Sequence, residues 1–179
     1  MTKKNMQLAF SSMVAALSCA VMFFTGVFPF GTMALPALAG VFLISIVMEC
    51  GRGWALGTYV TISVLSVLIA ADREAVLFFI LFFGYYPILK AVLESKFHRV
   101  IQVLLKFSIF NAAAILEFFL ASKLLGIPQE SFTIFGHSVP WLFLILGNIV
   151  FLIYDWAMSL LVVSYWNKIH PRLAKWFRH

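Results

Sequence analysis

Charge is what this sequence has least of. Only 11% of its 179 residues are Asp, Glu, Lys or Arg, against about a quarter in soluble domains. Hydrophobic residues make up 63% and the mean hydropathy is +1.02, so a water-soluble globular domain is excluded and an integral membrane protein is expected. Cysteine is scarce too. Cys19 lies inside an apolar run and Cys50 at the end of one, too far apart for a disulfide and without metal-ligand spacing, so no metal site is expected. A GxxxxGK[ST] phosphate loop, an HExxH pair and a GxSxG elbow are all missing. Their absence excludes ATP binding by the phosphate-loop route. No nucleophile-base pair or cluster of acidic metal ligands stands out either, so no enzyme and no cofactor are expected.

What the chain does have is apolar length. Leu8 to Phe28 is uncharged, follows Lys3 and Lys4, and is long enough to cross a hydrocarbon core of about 30 Å at 1.5 Å per residue. It is too long for a signal-peptide core, and the small-x-small site at Ala37-Leu38-Ala39 lies too far beyond it, so no cleavage is expected. Further spans are expected over Leu35 to Met48, Trp54 to Ala70, Ala75 to Leu93, Val100 to Leu125 and Pro140 to Trp166. Pro36 falls near the first turn of the second span, where proline is tolerated, and Gly84-Tyr85-Tyr86-Pro87 implies a kink in the fourth. Thr58, Thr61, Ser63 and Ser66 make the third span small and polar on part of its surface, so it is expected to pack inside. The fold class that follows is an all-α membrane protein of six transmembrane helices, with residues 1–179 as a single domain.

The thirteen basic residues orient it. Lys3, Lys4, Arg52, Lys90, Lys96, Arg99, Lys168, Arg172, Lys175 and Arg178 fall at one set of boundaries, while Arg73 and Lys123 fall at the other. The positive-inside rule therefore predicts cytoplasmic termini and outward connections after the first, third and fifth spans, in a bacterial cytoplasmic membrane. This distribution also accounts for the net charge of +6 without nucleic acid.

Two sets of residues are candidates for function. On the first helix Ser12, Ala16 and Ala20 form one row at four-residue spacing, with Ser11, Ala15 and Cys19 beside it. Such rows let helices approach closely, and they serve either an internal seam or a docking face. The second set is polar and lies in spans four to six, where a charge is expensive and marks a pathway or a ligand site. Counting from the expected outer boundaries puts Glu117 and Asn148 in one layer about 12 Å deep, with Asn111 and Asp155 below, near Tyr85 and Tyr86. Trp141, Asn148 and Asp155 share a face through seven-residue spacing, which suggests an aromatic stack above a polar stripe. Glu117 and Asn111 are six apart, so only one points straight into a cavity, and Glu117 is favoured. Lys106 reads as a snorkelling side chain near the cytoplasmic end.

Six spans in under 200 residues, inward termini, a first span of the form LxxxxxxAALxxA after a basic start, and no ATPase motif together resemble the substrate-binding S component of energy-coupling factor (ECF) transporters. The resemblance implies docking on a transmembrane coupling subunit through the first helix, here Ala16 and Ala20 with Ser12, the coupling subunit being driven by separate ATPase subunits. It also implies that a vitamin or similar micronutrient binds in the outer half between spans four to six and the outward loops. Glu117, Asn148, Trp141, Asp155, Tyr85, Asn111 and the loop residue His137 are then the candidate ligand contacts. A second expectation, from another class, is a non-transporting scaffold resembling the small multi-span protein of the rod-shape machinery, with the same flat first helix but no ligand pocket.

Overall fold

The computed structural model describes residues 3–28, 31–124, 133–134, 137–138 and 140–171. Six helical segments in it are long and apolar enough to cross a membrane. The chain runs through α1 (Lys3–Phe23, extended by a 3-10 turn over Phe24–Gly26), α2 (Gly31–Glu49), α3 (Arg52–Ile69), α4 (Arg73–Phe78), α5 (Tyr86–Lys96), α6 (Arg99–Leu124) and α7 (Pro140–Lys168). Between α6 and α7, Thr133–Ile134 and His137–Ser138 form a two-residue antiparallel pair. The expected helical architecture is therefore present, with six helical segments long and apolar enough to be the expected spans.

The first three helices pack by the small-residue logic of membrane helices. Ser11, Val14, Ala15, Ser18, Cys19 and Met22 recur at three- and four-residue intervals on α1 and are buried against α2 and α3. The approach is close enough for Ser18 Oγ to donate to the Ala39 carbonyl at 3.3 Å. At the far end of α2, the amides of Cys50 and Gly51 both reach the Ile46 carbonyl (2.8 and 3.0 Å). Gly51 takes a φ of +91° to turn the chain into α3, a conformation that glycine adopts without steric penalty. On α3, Thr58, Ser63 and Ser66 face inward as expected, whereas Thr61 is exposed. Helix α2 begins at Gly31, four residues before the expected boundary, so Pro36 sits in its second turn.

The fourth span is the centre of the molecule, with half of its most apolar stretch buried against 11% for α6 and α7. Asp72 caps α4 by accepting from the Glu74 and Ala75 amides (3.0 and 3.1 Å), and Thr32 on α2 donates to its other oxygen at 2.7 Å. The expected kink takes a specific form. Residues Phe79–Phe83 make a π-helical turn in which the Gly84 amide reaches back five residues to Phe79 (2.8 Å). That leaves the Ile80 carbonyl without its usual partner, and the Tyr59 hydroxyl donates to it at 2.8 Å. Pro87, which has no amide proton, begins α5 and frees the Phe83 carbonyl. This oxygen lies against Gly40 of α2, where a Cβ would stand 2.3 Å from it. Glycine is thus required at position 40 by a backbone contact.

Candidate functional site: an aromatic cavity above a buried ion cluster

Five elements line a cavity of about 480 Å³ toward the Asp72 end of the bundle. Met33 comes from the start of α2, Glu74 and Phe78 from α4, Phe82 and Phe83 from the π turn, Glu117 and Phe118 from α6, and Gly147, Phe151 and Tyr154 from α7. The volume lies within the range of small-molecule sites. Spacing explains the α7 contribution, because Leu144, Gly147, Phe151 and Tyr154 fall at three- and four-residue intervals and share one face. Phe82 is the hub of the floor, meeting Phe110, Phe151 and Tyr86 with ring centroids 5.2, 5.7 and 4.8 Å away. Phe110 stacks on Phe151 at 4.7 Å and 10°. Among the described residues, the only ionisable groups in the lining besides Tyr154 are Glu74 and Glu117. Among the described residues neither carboxylate has a cation partner, and each lies within the other's electrostatic reach. Arg73, next to Glu74, donates instead to the Val67 carbonyl. The Tyr154 hydroxyl is buried without a hydrogen-bond partner.

Beneath the aromatic floor lies a different polar region. Lys90 and Lys106 are 3% and 6% exposed, and both share Glu94 Oε1 at 2.7 Å. Asp155 completes the group at 2.5 Å from Lys90 and 3.1 Å from Lys106, and it accepts a 2.5 Å hydrogen bond from the Tyr86 hydroxyl. Two cations and two carboxylates leave the cluster neutral, which is the condition for keeping charge inside a membrane protein. It ties α5, α6 and α7 together. At the end of the bundle opposite Asp72, Glu49 accepts from the Tyr165 hydroxyl (3.2 Å) and pairs with His170 (2.9 Å), and Arg52 donates to the Ala91 carbonyl and Ser95 of α5 (3.0 and 2.8 Å).

The structure separates the candidate ligand residues. Glu117 lines the cavity, but Asn148 does not share its layer: it exchanges two hydrogen bonds with Asn111 (3.0 and 2.9 Å), and neither asparagine is in the lining. Asn148 therefore meets α6 six residues, about 9 Å, deeper than expected. The expected depths took the outer ends of α6 and α7 as level, whereas Asn111 opposite Asn148, Phe110 opposite Phe151 and Lys106 opposite Asp155 define a register in which they are not. Asp155 is corrected from ligand contact to ion-cluster member, and Lys106 from snorkelling side chain to its buried partner. Tyr85 packs edge-on against Tyr59 and Phe82 (6.2 and 6.3 Å) and is likewise outside the lining. The expectations for the side chains of Trp141 and His137 lie outside the described residues. Glu74, Phe82, Phe151 and Tyr154 escaped the sequence reading as site residues. Only the i, i+3, i+7 spacing of Gly147, Tyr154 and their neighbours could have signalled that face.

On the opposite flank, α1 divides its two small rows. Ser11, Ala15 and Cys19 are buried, and Ser12, Ala16 and Ala20 are exposed. Ser12 also lines a shallow groove, about 480 Å³, whose other wall is Gly53, Gly57 and Thr61 of α3.

Comparison with known proteins finds no matching family model, no matching curated protein and no matching solved structure.

Proposed function

We propose that this chain is the substrate-binding subunit of an ECF-type uptake transporter, taking a small organic nutrient into the cavity between α4, α6 and α7. The observation that carries the reading is a ligand-sized cavity at one end of a six-span bundle that also exposes a small-residue row on its first helix. The lysine and arginine distribution supports cytoplasmic termini, which puts the cavity in the outer half of the membrane, where a captured solute arrives. No nucleotide motif is present, so the energy for release comes from a partner. Ser12, Ala16 and Ala20 form the docking row: their small side chains let a partner helix come close, and close packing is what holds helices together in lipid. The split between the two α1 rows favours this assignment over an internal seam, because the seam is already occupied by Ser11, Ala15 and Cys19.

The test is co-expression of the tagged chain with a transmembrane coupling subunit and its ATPases. A stable complex with ATPase activity should elute with the chain, and Ala16→Leu or Ala20→Leu should remove that activity by about ten-fold or more while the isolated chain keeps its thermal stability. A wild-type chain that elutes alone, with or without the substitutions, would overturn the transporter reading and leave the scaffold.

A further inference from the structure

The cavity's lining also specifies what kind of molecule fits it. Among the described residues Lys, Arg and His are absent from that lining, and its two charged groups, Glu74 and Glu117, are both acidic. Elsewhere in the described bundle the carboxylates have partners within the chain: Glu94 and Asp155 pair with Lys90 and Lys106, Glu49 binds His170 and Tyr165, and Asp72 accepts from Thr32 and two backbone amides. Among the described residues, Glu74 and Glu117 are the carboxylates that line a cavity with neither an ion pair nor a side-chain hydrogen bond. A carboxylate without a partner in a low-dielectric site is expensive, so a bound cation relieves more free energy here than in water.

The walls point the same way. Phe78, Phe82 and Phe118 line the cavity together with Tyr154, and the faces of such rings carry negative quadrupole potential that attracts cations as well as apolar surface. We infer that the cavity binds an organic monocation with an apolar, ring-sized body, its positive group held between Glu74 and Glu117 and its body against the phenylalanines. Phosphorylated and carboxylate-bearing solutes meet like charge and are rejected. The inference deepens the proposed function by naming its substrate class, and its role in transport rests on that reading.

The experiment uses the full chain in nanodiscs and a pair of probes of equal shape, phenyltrimethylammonium and its neutral isostere tert-butylbenzene, titrated calorimetrically with empty nanodiscs subtracted. The cation should bind saturably and at least about ten-fold more tightly than the isostere, the discrimination expected of a desolvated cation among carboxylates and rings. Glu117→Gln and Glu74→Gln should each lower cation affinity by roughly ten-fold and leave the isostere unchanged. Equal binding of the two probes by the wild type, or cation binding indifferent to both substitutions, overturns the inference, and the wild-type comparison stands even if a variant fails to fold. Cation binding without assembly on a coupling subunit supports the cation site and sinks the uptake reading. Assembly without cation binding does the reverse.

Discussion

The bundle holds two pairs of carboxylates in two different ways. Glu94 and Asp155 sit against two buried lysines and a tyrosine hydroxyl, and Glu74 and Glu117 line one cavity with phenylalanines. One pair is neutralised by the chain, the other is not. The difference separates a structural role from a binding one more sharply than depth or hydropathy does. Charges completed within the fold fasten helices; charges left incomplete at a cavity are, on the proposed reading, completed by a ligand. The aromatic floor built on Phe82 and Phe151 lies between the regions, and Tyr86, packed beneath Phe82, turns its hydroxyl to Asp155.

The largest expected effect comes from breaking the completed side. Asp155→Ala leaves two buried ammonium groups sharing the half-exposed Glu94, and should lower the unfolding free energy by about 3–5 kcal/mol, read from reversible denaturation in mixed micelles. Joint replacement of Lys106 and Asp155 by methionine and leucine should recover much of that loss, since an apolar core of similar volume tolerates the removal of a whole pair better than of one partner. A single change as mild as any surface substitution would mean that the cluster is not the fastening described.

A smaller effect is expected at the hinge that supports the floor. Gly40→Ala drives a Cβ into the Phe83 carbonyl, and because the obstacle is backbone the π turn has to move, at a cost of about 1–3 kcal/mol. Phe83 and its neighbour Phe82 both line the cavity, so cation affinity should fall together with stability. Loss of stability with unchanged affinity would show that the turn does not shape the site.

Smallest is the asparagine pair. Asn148→Ala orphans Asn111 and should cost about 0.6–2 kcal/mol of stability, with ligand affinity kept within about two-fold because neither side chain lines the cavity. A ten-fold loss of affinity would return Asn148 to the site and redraw the boundary between the two regions.

How far the sequence carries can be seen at these same residues. The spans are legible because twenty apolar residues in a row have few other uses. Glu117 is legible because a carboxylate eleven residues beyond Lys106, inside an apolar run, demands an explanation. The partners of Asp155 are not legible: Lys90 and Lys106 lie 65 and 49 residues away, and helical periodicity fixes a residue's face only relative to its own axis. The pairing of Asn111 with Asn148 was missed for a related reason, since the relative height of two helices is set by packing and not by where their loops begin. Asn148 and Asp155 share a face of α7 through their seven-residue spacing, but the cavity lies about one residue's rotation away, on the face carrying Gly147, Phe151 and Tyr154. The proline kink was legible as a kink, and its π form was not, because that depends on Tyr59 being at hand to take the Ile80 carbonyl.

The contrast between completed and incomplete charge is tested most directly by thermal unfolding of the wild type and Glu117→Gln, each with and without phenyltrimethylammonium. Without the cation, Glu117→Gln should unfold at or above the wild-type temperature, since removing an unpaired carboxylate takes away a penalty and no partner. With saturating cation, the wild type should rise by several degrees and Glu117→Gln by much less, the shift following the occupied fraction. A ligand-free Glu117→Gln that melts well below the wild type, with equal shifts for both proteins on adding the cation, would show that Glu117 is neutralised inside the chain and would contradict the account.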